Sequence, residues 1–65
     1  MNKEYHTVYG DGKWPGYNDL ERFEFEELMT LEEAVQYGNN PEMLKRLVRA
    51  RMPKYTEIVS AHVTL

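Results

Sequence analysis

Six carboxylates crowd one short segment: Glu21, Glu24, Glu26, Glu27, Glu32 and Glu33. Such a run could bind a hard cation or supply a general acid and base. Neither chemistry finds the spacing it needs, because a calcium loop sets its oxygens around a central glycine and no glycine interrupts this run. Glu24 and Glu26 instead share one face of an alternating strand. There they read as a hydrated wall that guards a sheet edge and, together with Glu21 and Glu27, as an acidic docking surface for a basic partner. His6 and His62 would supply half of a metal site if their strands were adjacent. No third ligand is indicated and the chain has no cysteine, so no metal is expected. Ser60 lies inside a strand-like run rather than at a nucleophile elbow. Gly10, Gly12 and Gly16 do not lead into a helix that opens with Lys-Ser or Lys-Thr, as a phosphate loop would. The expectation is a protein that is not an enzyme, with no catalytic residue and no cofactor.

Two further groups have side chains suited to recognition. Trp14 and Tyr17 stand beside Lys13 and Pro15 in a glycine-rich stretch, and large aromatics of this kind often anchor interfaces. Trp14 reads equally as a lid folded over the open end of a small core. Lys45, Arg46, Arg49, Arg51 and Lys54 give a helix a basic face, which a nucleic-acid backbone would attract.

These groups need elements to position them. Residues 3–9, KEYHTVY, carry β-branched and aromatic side chains and stop at Gly10-Asp11-Gly12, which predicts a first strand. Residues 10–19, GDGKWPGYND, have no period and predict a long loop. From Leu20 to Leu28, Phe23 and Phe25 alternate with Arg22, Glu24 and Glu26, the pattern of a half-exposed strand. A slip at Glu27-Leu28 would let Leu28 rejoin the apolar side. Thr30 and Glu33 form a capping box, and Leu31, Ala34 and Val35 give the following helix an apolar stripe. Gly38 is expected to close it in the left-handed conformation. Asn39 or Asn40 caps a second helix, Pro41 suits its first turn, and Pro53 ends it near Arg51 or Met52. Residues 54–65 predict a third strand, with Val59, Ala61, Val63 and Leu65 on one side and Ile58, Ser60 and His62 on the other.

The order is thus β-β-α-α-β: an α+β fold in which a three-stranded antiparallel sheet packs on two short helices through Leu31, Val35, Leu44, Leu47 and Val48. Sixty-five residues make a single domain, 1–65, of marginal stability. Residues 1–33 hold three basic against nine acidic side chains, a balance of -6, and residues 34–65 hold five against two, a balance of +3. Such polarity steers charged partners. Neither a signal peptide nor a membrane span is read, and the lack of cysteine fits a cytoplasmic setting.

Residues 29–53, with Thr30-Leu31-Glu32-Glu33-Ala34, a short corner, Leu44, Arg46, Leu47, Val48 and then Pro53, resemble the winged-helix part of phage excisionases. That resemblance implies DNA binding through Arg46, Arg49 and Arg51. The corner is one residue short and Pro41-Glu42 stands where base-reading side chains belong. The whole layout, with Phe23-x-Phe25, the same Thr30 helix start and a final strand after a proline, is similar to the small RNA polymerase inhibitor of podoviruses. This second resemblance implies a phage or mobile-element module that binds and occludes a larger host protein; the acidic face adds the expectation of a basic groove on that protein, as on a nucleic-acid-processing enzyme. The expected contacts are Trp14, Tyr17, Glu21, Glu24, Glu26 and Glu27. A homodimer paired through the last strand is a further outcome consistent with the pattern.

Overall fold

Side-chain alternation sets which face of each strand is buried, and the computed structural model, which describes residues 2–16 and 19–65, follows it through two long strands. β1 (Glu4–Lys13) and β2 (Leu20–Met29) form an antiparallel hairpin in unbroken register from Glu4 opposite Met29 to Lys13 opposite Leu20. After α1 (Leu31–Asn39) and α2 (Pro41–Arg51), β3 (Glu57–Val63) returns antiparallel to the other side of β1, giving the strand order β2-β1-β3. The fold is α+β with the expected element order.

β1 extends four residues beyond the expected end at Tyr9, and the connection shrinks to residues 14–19. Gly10 and Gly12 are strand positions because something lies where their side chains would be. A Cβ on Gly10 would meet the Ser60 carbonyl oxygen at 2.1 Å, and one on Gly12 would meet the Tyr55 ring at 2.7 Å. The turn glycine is Gly16, at φ 79°.

β3 departs from strict alternation. Asp11 and Gly12 are consecutive on β1 but face Ser60 and Ile58, so Val59 is an extra residue, a bulge. The bulge reverses the parity. Ile58, which strict alternation sets on the side opposite Ala61 and Val63, is buried with them, while Val59 is exposed. β2 has no such slip, so Leu28 stays on the outer face and Met29 is buried instead.

The Thr30 capping box forms as read: the Glu33 amide donates to Thr30 Oγ1 at 3.1 Å, and the Thr30 amide donates to Glu33 Oε1 at 2.8 Å. Gly38 does not adopt the left-handed conformation, since Gly16 alone among the described glycines has positive φ. α1 runs to Asn39, and Asn40 ends it and also caps α2, accepting from the Met43 amide at 3.2 Å. Of the α1 stripe only Ala34 is buried. Leu31 and Val35 are 59% and 40% exposed, because α1 sets its Ala34 and Tyr37 side inward and leaves a shallow groove of about 410 Å³ between Leu31, Glu32, Val35 and Gln36.

The core is one cluster of Val8, Phe23, Leu44, Val48, Tyr55 and Ile58, with Leu47 and Met52 against its rim. It lies between the helices and one face of the sheet. The opposite face, carrying Tyr9, Arg22, Glu24, Glu26 and His62, has no helix over it among the described residues. No described helix is long and apolar enough to cross a membrane.

Candidate functional site

The tip of the β1–β2 hairpin carries an open groove of about 360 Å³ lined by Trp14, Asp19, Leu20 and Glu21. Beneath it, Gly12 carries no side chain, so the Tyr55 ring packs directly against β1 and is 3% exposed. Phe23 backs that ring at 5.8 Å, and Trp14 meets it edge-on at 6.2 Å between centroids. Lys54 Nζ sits 4.7 Å from the Trp14 ring centre and 5.2 Å from that of Tyr55, a shared cation–π contact. It also donates to Glu21 Oε1 at 3.2 Å. The Tyr55 hydroxyl is buried without a partner among the described residues. Burial raises its pKa, and the nearby Glu21 carboxylate raises it further.

Trp14 therefore joins the two roles left open by its sequence context. One edge closes the core over Tyr55, and the side chain remains 38% exposed. Next to it Leu20 is 53% exposed. The result is an apolar floor beside the carboxylates of Asp19 and Glu21. Tyr17, the other expected anchor, lies outside the described residues.

The four glutamates do not form the single wall expected of them. Strand parity divides them: Glu24 and Glu26 point to the open face, while Glu21 and Glu27 point to the helix side and meet cations there. Arg51 donates from Nε and Nη2 to the two oxygens of Glu27, both at 2.9 Å. That paired hydrogen bonding, aided by the charge of Arg51, holds the Glu27 carboxyl below its usual pKa. A group with a depressed folded pKa adds stability above its unfolded value, about 4.3, and loses it as pH falls through the folded value. Glu27→Gln should thus lower the thermal midpoint by about 2–4 °C at pH 7, and by less at pH 3 or in high salt. A deficit that is the same at both pH values would show that the pair contributes nothing through charge.

The arginines of the DNA-binding alternative are also divided. Arg51 is engaged by Glu27, Arg49 Nη2 donates to the Thr56 carbonyl at 3.4 Å, and Arg46 is exposed on the outer side of α2. His6 and His62 occupy opposite faces of the sheet. His6 is buried, and since a carbonyl can only accept, its Nδ1–H must donate to the Thr64 carbonyl at 2.8 Å. His62 lies outside, against Tyr9 at 5.2 Å.

Comparison with protein-family models, with curated proteins and with solved structures finds no match. The site must speak for itself. Leu20, Asp19 and Tyr55 carry no site signal in the sequence, and Lys54 reads there only as part of the basic face of α2. Gly12 leaves the room that the Tyr55 ring fills, but a glycine in a strand does not by itself say what packs on it. Nothing local marks Lys54 as a partner of Trp14, which it reaches only once α2 and β3 have folded back along the hairpin.

Proposed function

We propose that this chain is a small protein-binding module without catalytic activity, which occludes or modulates a larger protein through the hairpin-tip groove. The observation that supports it most is the meeting of an exposed indole and an exposed leucine with two carboxylates in one open concavity. Apolar anchors ringed by charge are what a binding hot spot requires; Lys54 neutralises Glu21, so the acidic character of the rim comes from Asp19 and favours a partner segment with a basic side chain there. The contacts are Trp14, Leu20, Asp19 and Glu21, with Glu24 and Glu26 steering from the adjoining open face. A basic groove is the complement of the acidic side chains at the tip and on the open face, which makes a nucleic-acid-processing enzyme the favoured class of target, with the cytoplasm its setting.

DNA binding through α2 has less support, because Arg51 is held by Glu27 and Arg49 by a main-chain carbonyl.

Quantitative affinity capture from a host extract tests the proposal with three versions of the chain: wild type, Trp14→Ala and Arg46→Glu. One captured protein should fall by about tenfold or more with Trp14→Ala, as for a hot-spot aromatic, and persist with Arg46→Glu. Capture that survives loss of the indole but not the charge reversal on α2 would refute the groove. A gel shift on mixed duplex DNA adds the second arm: binding that weakens steeply with salt would establish the α2 alternative.

A further inference from the structure

β2 is an edge strand of ten residues with an unbroken ladder to β1 and, among the described residues, no strand on its other side. It lacks the bulge that distorts β3, and it holds neither proline nor glycine. The usual protection of such an edge is charge. Here the charges are arranged so as to complement themselves. Around Glu24 the residues mirror one another: Phe23 with Phe25, Glu21 with Glu27, Leu20 with Leu28. Arg22 alone breaks the mirror, and its counterpart Glu26 bears the opposite charge.

We propose that β2 pairs antiparallel with β2 of a second copy about a two-fold axis at Glu24, joining the two sheets edge to edge. Facing residues in such a pair must share a face, which the mirror satisfies throughout. On the open side Arg22 of each copy faces Glu26 of the other, two opposite-charge pairs of the kind that stabilise adjacent strands. Leu20 and Leu28, 53% and 47% exposed in the single chain, meet twice across the junction, with the exposed Tyr5 ring opposite Leu28 on β1. On the helix side Phe25, only half-buried in one copy, reaches Phe23 of the other. Glu21 and Glu27 face each other there already neutralised by Lys54 and Arg51. The interface is isologous, as a two-fold dimer demands. It draws on Leu20, Glu24 and Glu26, which the proposed occlusion of a larger protein also uses, so the two contacts compete on one copy; the occlusion test reads Trp14, which lies outside β2.

Analytical ultracentrifugation of the full chain tests the pairing. Wild type is expected to approach a doubled mass with concentration. Arg22→Glu and Glu26→Arg each turn two attractions into two repulsions and should each weaken dimerisation by more than about tenfold. The double variant R22E/E26R restores opposite charges and should return to within about threefold of wild type. Glu24→Gln removes the like-charge contact at the axis and should strengthen the dimer by about threefold. A wild-type mass that stays monomeric up to about 1 mM, single variants that associate as wild type does, or a double variant that fails to recover would each overturn the proposal. Since E26R leaves the Arg22 contacts within β1 and β2 intact, it carries the test should R22E not fold.

Discussion

Gly10→Ala should leave this chain without a cooperative thermal transition. The added methyl group would stand 2.1 Å from the Ser60 carbonyl oxygen, 2.8 Å from its carbon and 3.0 Å from the Ala61 Cα. All three are main-chain atoms, held by the bulge at Val59 and by the β1–β3 ladder on either side of it. No rotamer change relieves the contact, so either β3 lifts away or the register slips and Ile58 leaves the core. Overpacking of a tight interior costs about 1–3 kcal/mol even where side chains can yield. A domain of this size has about 3–10 kcal/mol in all. Gly12→Ala sets the comparison, since its methyl would meet the Tyr55 ring at 2.7 to 2.9 Å and a ring can tilt. It should fold with a lower midpoint and a displaced Trp14. Gly16→Ala meets nothing within 4 Å and carries only the strain of φ 79°. Circular dichroism melts of the three variants check this order. A Gly10→Ala melt that coincides with wild type would mean that β1 and β3 are not paired as described.

Phe23→Ala should cost about 3–5 kcal/mol, more than the same change at Leu47 or Val63. All three residues are inward-facing, but Phe23 is 3% exposed whereas Leu47 and Val63 lie partly open on the rim. Phe23 also stacks on Phe25 and backs the Tyr55 ring. Its loss empties the space between β2 and the residue that seats Trp14. The thermal midpoint should fall by more than about 12 °C, and the urea midpoint should fall with it. Equal losses for Phe23 and Leu47 would contradict the placement of the core.

The strength of each sequence signal tracks how local its cause is. The Thr30–Glu33 capping box, the Asn40 cap and the Phe23-x-Phe25 alternation all act within a few residues, and each appears in the structure where the sequence places it. Gly10 and Gly12 misled because a glycine that admits a distant neighbour looks the same, in sequence, as one that turns the chain. The bulge at Val59 leaves no mark in the alternation of β3, so strict alternation separates Ile58 from Ala61 and Val63, with which it is in fact buried. Leu31 and Val35 carry a helical period yet remain exposed, because α1 is short and meets its neighbours through Ala34. At the candidate site Trp14 and Glu21 were legible as side chains suited to contact. That they share one groove with Leu20 and Asp19 was not, since the hairpin register needed for it depends on where β1 ends. Likewise the division of the glutamates follows from parity, which places Glu24 and Glu26 outside, and from Arg51 and Lys54, which arrive from elsewhere in the chain to pair with Glu27 and Glu21.

Photo-cross-linking from a single engineered position tests the groove most directly. A benzophenone side chain placed at Asp19, on the rim, should yield one discrete adduct with a larger protein in host extract, and excess unmodified chain should suppress it. The same probe at Arg46, on the far side of α2, should yield no such adduct. A competable adduct from Arg46 and none from Asp19 would contradict the assignment of the hairpin tip as the binding surface.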